Sequence, residues 1–429
     1  MQQRVLVLGS YGFIGAAVVR ALRGAGCIVT GLGRAPRRVD PGYTVLTGDL
    51  SRMLEPADWQ PVLKDIDLVV NCAGALQDQR PGELEAVHHL AIAALAKAAG
   101  ARAIEIVQIS AVGASRHAST EFMRSKARGD AALRASDARV WVLRPGLVLG
   151  PTAFGGTLLL RTLAAVPVVQ PIAMADARIQ SVALDDVARA VVEAATGSLP
   201  PGQYDLVEEA AQPLNVVVRE TRRWLGFAPA RWTLNMPGWI TIGISTAADL
   251  LGRLGWRSPL RSTAIHVLRD GVLGDPGPYL AVTGRPMTAL AATYSGFDAH
   301  REDRLAARMA VLMPVAVTML SLFWLVSGVI GLWQIERAAE TLVQVGWPGW
   351  VARVSVAGWA VVDMMLGLAI LYRPWAGLAC LGMAAVSVFY LVSSAVLTPA
   401  LWSDPLGPMV KVGPGLILAL ITHQLLEDR

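Results

Sequence analysis

Charge and cysteine are scarce in this chain of 429 residues, and each shortage excludes a class of protein. Charged residues make up 17% of the sequence, and the net charge of +5 is not gathered into a basic face, so we expect no nucleic-acid binding. The three cysteines, Cys27, Cys72 and Cys380, are too far apart in sequence for a metal-ligand or redox motif. We therefore expect no metal site and no disulfide framework, as in a reducing compartment.

Apolar residues are abundant, at 54%, but they are unevenly distributed. Residues 1–308 have an ordinary density of charge, whereas residues 309–429 consist largely of long apolar runs. A chain of this length is expected to form two or three domains. The N-terminal residues lack a small-residue cleavage site, so we expect no signal peptide.

Short β-branched runs alternate with Ala-rich helical stretches over about the first 150 residues. Strands that alternate with helices need crossover connections, so the pattern predicts an α/β fold with a Rossmann-type, doubly wound parallel sheet. The predicted strands are Arg4–Gly9, Cys27–Gly31, Thr44–Gly48, Leu68–Cys72, Ile104–Ser110 and Val140–Arg144, and the predicted helices include Gly12–Leu22, Leu84–Ala99 and Glu121–Leu133.

The first predicted strand leads directly into a glycine-rich loop with the sequence GSYGFIG. In such a loop one glycine permits the tight turn, one lets the backbone approach a pyrophosphate, and one lets the helix pack closely on the strand. The amino end of the following helix supplies unpaired N–H groups for the anion. A plain strand–helix turn is the alternative, but the order of strand, loop and helix favours dinucleotide binding. The predicted contacts are Gly9, Tyr11, Gly12, Phe13, Ile14 and Gly15.

The end of the second predicted strand indicates which dinucleotide is bound. NAD-binding proteins carry an acid there for the ribose 2′-hydroxyl, but this chain has Arg34, followed by Arg37. A guanidinium group suits a 2′-phosphate and cannot accept a hydrogen bond from a hydroxyl. The sequence therefore predicts NADP as the cofactor, with NAD as the alternative. The arginines of a solvated loop would give the same pattern.

Seven motifs follow the order typical of one protein family: GSYGFIG, GDL (Gly48–Leu50), NCAG (Asn71–Gly74), VQISAVG (Val107–Gly113), SK (Ser125–Lys126), LRPGLVLGP (Leu143–Pro151) and SVALDDVARA (Ser181–Ala190). With them, about the first 225 residues resemble the extended and atypical branch of the short-chain dehydrogenase/reductase family, including its epimerase/dehydratase-like members. The resemblance implies further contacts with the cofactor. Asp49, with Leu50 beside it, would contact the adenine, Ala73 and Gly74 would line the ribose and pyrophosphate, and Pro145, Leu147 and Val148 would flank the nicotinamide.

The resemblance also implies a catalytic serine, tyrosine and lysine, and one of the three is missing. Ser110 and Lys126 match the family pattern, but Phe122 occupies the tyrosine position. A phenyl ring has no proton to donate, and loss of a general acid typically costs about 10²–10⁴-fold in rate. Two hypotheses follow: a reductase or epimerase-type enzyme that uses another acid, or a non-catalytic nucleotide-binding sensor or structural module. Glu121, Ser125 and His117 are close enough in sequence to replace the tyrosine.

Four apolar runs in the last third of the chain are candidate membrane spans, because about 20 apolar residues cross a bilayer core of roughly 30 Å. Four spans would place both ends of this part on one side, and a cytosolic cofactor would make that side the cytoplasm. Asp363, in the second run, is expected to face the bundle interior and to have a partner. The predicted spans are Met309–Trp333, Val354–Tyr372, Ala376–Leu397 and Met409–Leu426.

The motifs SLFWLVSGVIGLW (Ser321–Trp333), VVDMMLGLAIL (Val361–Leu371) and LWSDPLGPMVK (Leu401–Lys411) resemble the DoxX-like membrane proteins over about residues 305–429. Some members of that family serve quinone-linked oxidoreductases, so the resemblance implies quinone as a possible partner besides the lipid bilayer.

These observations predict a multi-pass protein of a bacterial inner membrane. Residues 1–227 would form the NAD(P)-binding domain, with a small substrate region from about residue 151. Residues 228–308 would form a connector, which either packs against a domain or lies at the membrane surface. Residues 309–429 would form an all-α four-helix transmembrane domain. We expect an oxidoreductase that acts on a quinone or a lipid-like substrate. A tethered, non-catalytic nucleotide-binding module is the alternative.

Overall fold

The computed structural model describes residues 2–34, 43–75, 78, 80–256, 262–405 and 407–427. They form two compact units. The N-terminal unit comprises residues within 1–243 and 259–304, and the C-terminal unit comprises residues within 244–258 and 305–429. The predicted connector, 228–308, is therefore divided between the two units.

Strands are confined to the N-terminal unit in the described part of the chain. They are β1 (Arg4–Leu8), β2 (Ile28–Gly33), β3 (Thr44–Thr47), β4 (Leu68–Asn71), β5 (Glu105–Ile109), β6 (Val140–Pro145), β7 (Leu147–Leu149), β8 (Val169–Ala173), β9 (Arg178–Ile179), β10 (Ser181–Ala183), β11 (Gly202–Leu206), β12 (Gln212–Pro213) and β13 (Trp232–Met236). The six predicted strands correspond to β1–β6.

Seven of these strands form one parallel sheet in the spatial order β3-β2-β1-β4-β5-β6-β11. The order reverses between β1 and β4, and the carboxyl ends of the strands at such a point flank a crevice that binds ligands. The predicted Rossmann-type sheet is confirmed. Small two-stranded pairs, β7–β10, β8–β13 and β9–β12, lie beside it.

Helices cover both faces of the sheet, as the continuous apolar strands require. Side chains alternate between the faces, so Val5 and Val7 belong to one buried cluster while Leu6 and Leu8 belong to another. The helices of this unit are α1 (Phe13–Gly24), α2 (Pro56–Trp59), α3 (Glu83–Glu85), α4 (Ala91–Gly100), α5 (Glu121–Arg134), α6 (Gly156–Ala165), α7 (Leu184–Ala195), α8 (Leu214–Trp224), α9 (Gly238–Arg253, which extends into the C-terminal unit), α10 (Ser262–Asp270), α11 (Gly277–Thr283) and α12 (Leu290–Ser295). A π-helical turn, Ala86–Leu90, joins α3 to α4.

The C-terminal unit is helical and matches the predicted membrane domain in its apolar character. Its helices are α13 (Arg301–Trp333), α14 (Ile335–Val343), α15 (Gly349–Ala369), α16 (Arg373–Leu397) and α17 (Val412–Glu427). Three of them, α13, α15 and α16, are long and apolar enough to cross a membrane. The fourth predicted span corresponds to α17, whose 16 residues reach only about 24 Å.

Glycines allow α13 and α15 to approach closely within this unit. A Cβ atom at Gly328 would lie 2.5 Å from the carbonyl oxygen of Ala360. Small residues at such crossings are typical of membrane helices. Asp363 is buried, and its carboxyl group accepts hydrogen bonds from Ser327 Oγ (3.1 Å) and Tyr390 Oη (2.9 Å). The expectation that Asp363 faces the interior with partners is confirmed.

Glu208 attaches the segment after residue 262 to the sheet. Its Oε1 accepts from the backbone N–H (3.0 Å) and hydroxyl (2.6 Å) of Ser181, and its Oε2 accepts from the N–H of Leu290 (2.9 Å). Glu208 is 2% exposed, so water cannot replace it at these donors.

We predict that Glu208→Ala lowers the free energy of unfolding of the N-terminal unit by about 2–6 kcal/mol, because the backbone N–H groups of Ser181 and Leu290 lose their acceptor and each orphaned buried donor costs about 1–3 kcal/mol. Denaturant melts of the full chain in detergent, followed by tryptophan fluorescence, would measure the change. Glu209→Ala is the matched control, since Glu209 is exposed. Equal losses in the two variants would contradict the role given to Glu208.

Candidate nucleotide-binding site

The turn between β1 and α1 is built from glycines that have no space for a side chain. Gly9 has φ of +70°, and a Cβ there would lie 2.9 Å from Ala73 Cα. A Cβ at Gly15 would lie 2.2 Å from the carbonyl oxygen of Gly9. Gly12 precedes α1, and Phe13 and Ile14 begin it, so the free N–H groups of the helix open towards the crevice. The geometry fits the predicted pyrophosphate site.

The side chain of Tyr11 lies between this loop and the second strand. Its ring approaches Gly33 so closely that a Cβ at Gly33 would lie 2.9 Å from it. The hydroxyl of Tyr11 is buried and has no hydrogen-bond partner among the described residues. A buried polar atom without a partner at this position suits a site that a polar ligand completes.

The predicted ribose-binding residue, Arg34, follows directly after β2. Its Nη1 donates to Glu83 Oε1 at 3.2 Å, and the Arg34 side chain is 61% exposed while that of Glu83 is 10% exposed. Arg37 lies outside the described residues. Asp49 accepts from the N–H (3.1 Å) and hydroxyl (2.8 Å) of Ser51, and Leu50 is buried beside it.

Two side chains hold the loop after β4: Asn71, at the end of that strand, and His88, in the π-helical turn. Asn71 Oδ1 accepts from the N–H of Ala73 at 3.0 Å, and Asn71 Nδ2 donates to Gln108 Oε1 at 2.8 Å. The N–H of Ala75 donates to His88 Nε2 at 3.1 Å. These bonds fix the backbone on both sides of Gly74, which is the segment predicted to line the ribose and pyrophosphate.

Lys126 lies beside this loop and is almost fully buried. A Cβ at Gly74 would lie 3.9 Å from Lys126 Nζ, which donates to the carbonyl oxygen of Ile109 at 3.1 Å. Burial lowers the pKa of the Lys126 ammonium group, although the nearby Asp130 carboxylate opposes this. Phe122 lies one helical turn before Lys126 on α5, and the centre of its ring is 5.7 Å from Nζ.

Ser110, directly after β5, donates its hydroxyl proton to Asp130 Oδ2 on α5. Burial raises the pKa of the Asp130 carboxyl group, while this hydrogen bond and the Lys126 charge act against the increase. Ser110, Lys126 and Asp130 therefore form one buried network, and the sequence motifs indicate only the first two members.

Pro145, Leu147 and Val148 lie at the carboxyl edge of β6 and in β7, which continues from it. A Cβ at Gly146 would lie 2.4 Å from the carbonyl oxygen of Gln180, so the chain there presses against the segment before β10. The carboxyl ends of β1–β6 share one edge of the parallel sheet, and the described predicted residues lie in or next to the segments that follow these ends.

His88 is a site residue that the sequence analysis missed. Because Nε2 accepts from Ala75, the proton of the neutral ring is on Nδ1, which lies 2.9 Å from Ser125 Oγ. The Ser125 hydroxyl in turn donates to the carbonyl oxygen of Phe122 at 3.1 Å. Burial, followed by the Lys126 charge, lowers the pKa of His88 to about 2. A histidine in an Ala-rich helix carries no motif that would have identified it.

The three groups proposed as replacements for the tyrosine have different environments. Glu121 pairs with Arg124 and Arg128. His117 is exposed. Ser125 alone is buried next to Phe122, but its proton is held by the Phe122 carbonyl.

A cavity of about 340 Å³ lies in the same unit, next to the approach to α5. Asp270 in its wall accepts from the hydroxyl of Ser119 at 2.5 Å, two residues before α5 begins. Its wall combines apolar and charged groups, including Met174, Leu268, Asp176, Arg178 and Arg269.

A glycine-rich turn at the switch point of a parallel sheet with this strand order is the arrangement of NAD(P)-binding Rossmann proteins. The N-terminal unit therefore has the fold of that class, and the retained lysine and motif order resemble those of the short-chain dehydrogenases/reductases.

Family models agree with this assignment and extend it to the second unit. The model of the NAD dependent epimerase/dehydratase family matches residues 5–206, and that of the DoxX-like family matches residues 321–420. The chain thus joins an NAD dependent epimerase/dehydratase domain to a DoxX-like domain. Both predicted resemblances are confirmed.

Similar proteins support the fold of the first domain. The ceramide reductase of Caulobacter vibrioides is 27% identical over 244 residues, which cover 56% of this chain and 76% of that protein. The Bordetella bronchiseptica enzyme WbmG, solved with NAD, is 18% identical with a TM-score of 0.52 over 69% of this chain and 93% of its own. WbmH of the same organism, solved with NAD+, is 17% identical with a TM-score of 0.53 over 73% and 98%. These structural likenesses show the fold alone.

We predict that His88 makes the protein less stable in acid. Its pKa in the folded protein, about 2, lies below its ordinary value of 6.5, so unfolding takes up a proton at any pH between these values. The stabilisation from neutral His88 is complete above pH 6.5 and is lost as the pH falls below it, by up to about 1.4 kcal/mol per unit. Between pH 7 and pH 5 the wild type should lose about 2 kcal/mol more than His88→Gln.

Denaturant melts at several pH values would measure this difference. His89→Gln is the matched control, because His89 is the neighbouring residue and pairs with Glu85 instead. The same pH dependence in wild type and His88→Gln would show that His88 is not buried in its neutral form.

Proposed function

We propose that this protein is a membrane-anchored, NADP(H)-dependent reductase of a lipid-like carbonyl compound. The position of Lys126 is the observation that carries the proposal. The buried ammonium group lies beside Gly74 in the cofactor crevice, where short-chain dehydrogenases/reductases place their catalytic lysine.

The residues of the crevice fit a dinucleotide. The glycine-rich turn would hold the pyrophosphate, and Lys126 would hold the ribose next to the nicotinamide. When bound, NADPH supplies a hydride. Reduction of a ketone to an alcohol would also need a proton at the carbonyl oxygen, and a residue of this chain would have to supply it.

Lys126 is also the group that we propose for the proton. Phe122 has no hydroxyl, and His88 at a pKa of about 2 holds no extra proton at neutral pH. The lowered pKa of Lys126 makes its ammonium group a stronger acid than a solvated lysine. One of the three N–H groups of Lys126 Nζ donates a hydrogen bond to the carbonyl oxygen of Ile109. Solvent would restore the proton that Lys126 gives to the substrate.

Three observations support a substrate that resides in the membrane. The similar protein in Caulobacter vibrioides is a ceramide reductase. The chain carries helices that can cross a bilayer. The 340 Å³ cavity beside the approach to α5 has both apolar and charged groups in its wall. Since NADPH is a cytosolic cofactor, we propose that the N-terminal unit faces the cytoplasm of a bacterial inner membrane. We also propose that α17 crosses the bilayer together with α13, α15 and α16, which places the C-terminus on the same side. A quinone is the other class of membrane-soluble acceptor.

A non-catalytic role is the second candidate function, and Phe122 favours it. A domain that retains the nucleotide crevice but lacks the hydroxyl group would bind NADP(H) as a sensor or as a structural module. Tight binding of NADPH without its oxidation across ketolipids and quinones would support this second function.

We predict that purified protein in nanodiscs oxidises NADPH when a long-chain ketolipid is supplied. Lys126→Ala should abolish turnover, whereas Phe122→Tyr should raise it by up to about 10²–10⁴-fold by restoring an acidic hydroxyl. Absorbance at the NADPH band and mass spectrometry of the alcohol product would measure both effects.

Lys97→Ala is the control for loss of a lysine, because the Lys97 side chain is exposed. Full activity of Lys126→Ala would refute the proposed site. A lower rate in Phe122→Tyr would refute the view that the missing hydroxyl limits the reaction.

The preference for NADP is proposed from Arg34. Its guanidinium group lies at the end of β2, where the ribose 2′ position is read in this fold. Glu83 accepts from Arg34 and is nearly buried, so a 2′-phosphate would have to compete with this carboxylate.

We predict that Arg34→Ala raises the Kd for NADPH by about tenfold or more, because a charge-assisted hydrogen bond contributes about 1.5–3 kcal/mol. Glu83→Gln should lower that Kd by up to about fivefold, because the Arg34 side chain is largely exposed and such an ion pair contributes at most about 1 kcal/mol. Neither change should alter the Kd for NADH. Calorimetry with both nucleotides would test this, and equal effects on NADH would contradict the assignment.

A further inference from the structure

The paired strands β8 and β13 expose large apolar side chains on the surface of the N-terminal unit. Trp232 and Leu234 are 58% and 55% exposed, and their spacing of two residues places them on the same face of β13. Val169, paired with Trp232, and the adjacent Val168 are also exposed. We call these four residues the apolar ribbon.

An apolar face of this kind is unusual on a domain that is surrounded by water. Contiguous exposed apolar groups mark a surface that contacts a protein, a ligand or a membrane. Here the edge of the ribbon carries a cation: the guanidinium group of Arg231 lies 5.2 Å from the centre of the Trp232 ring. Tryptophan together with a long basic side chain is typical of the interface between lipid headgroups and hydrocarbon.

The chain that follows the ribbon has the burial pattern of a helix in contact with lipid. Within α9, the small residues Thr241 and Ala248 are buried, whereas Trp239 and Leu250 are 75% and 59% exposed. A helix in water would show the reverse. The same helix continues into the unit that contains the membrane helices. Leu234 of the ribbon lies four residues before α9 begins, so the ribbon adjoins a segment that itself favours lipid.

We propose that the apolar ribbon inserts into the interfacial layer of the bilayer, with Trp232 and Leu234 as its deepest side chains. The nucleotide-binding domain is then not merely linked to a membrane anchor but lies on the membrane through its own surface. This placement goes beyond the proposed reductase activity and does not depend on which substrate the site accepts.

The test uses the full chain in nanodiscs, with a nitroxide label on Trp232→Cys and, in a separate protein, on Leu234→Cys. Power saturation in electron paramagnetic resonance measures how often the nitroxide collides with oxygen, which concentrates in lipid. It also measures collisions with a nickel chelate, which remains in water. We expect a severalfold higher ratio of oxygen to nickel accessibility at 232 and 234 than at the control position, Ile28→Cys. Ile28 is 51% exposed on the same unit and is not part of the nucleotide site.

The unsubstituted chain measures the label taken up by its three native cysteines. High accessibility to the nickel chelate at both ribbon positions would overturn the proposal, because the ribbon would lie in water. Protection from both reagents would also overturn it, because a protein surface would then cover the ribbon. Two positions are tested separately so that a folding defect in one variant leaves the other informative, and thermal melting identifies such a defect.

Discussion

The close passage of Gly15 over the carbonyl oxygen of Gly9 is the constraint on which the nucleotide site depends. A side chain at Gly15 would place a Cβ 2.2 Å from that oxygen, so only glycine allows α1 to begin directly above the end of β1. The unpaired N–H groups of the helix then open into the crevice between β1 and β4. The same turn brings Tyr11 against Gly33 and so positions the end of β2, from which Arg34 extends.

The chemistry of the crevice follows from a cation that is buried without a neighbouring tyrosine. Removing an ammonium group from water is costly, and Lys126 is compensated by the Ile109 carbonyl and by Asp130. His88 is kept neutral by the same burial and the same charge, and its two nitrogens connect the loop after β4 to α5. The site therefore has a fixed framework around one buried cation, the ammonium group of Lys126. This arrangement suits either a slow reductase or a protein that binds the nucleotide without turnover. The two differ in whether another group supplies the proton that Phe122 cannot donate.

The C-terminal unit contains a comparable problem in a more apolar setting. A carboxyl group at the centre of a membrane helix costs about 2.5–3.5 kcal/mol on insertion scales. Asp363 offsets part of this cost through Ser327 on α13 and Tyr390 on α16, so one polar cluster joins three helices. The stacked rings of Trp359 and Phe389, 4.5 Å apart, lie next to it. Both units thus place an ionisable group in their interior and satisfy it with partners from neighbouring elements.

The sequence alone determined what depends on neighbours along the chain. The strands β1–β6, the glycine-rich turn, Lys126 with Phe122 four residues before it, and the apolar helices all follow from local patterns of residue type and spacing. Contacts between distant segments were decided by the tertiary structure. His88 meets Ser125 across 37 residues, Glu83 pairs with Arg34 across 49, and Glu208 binds Leu290 across 82. No periodicity reports such pairs, because they form only when the sheet has brought separate crossovers together. The short length of α17 and the exposed ribbon of β13 likewise depend on where the folded chain turns, and residue type does not specify that.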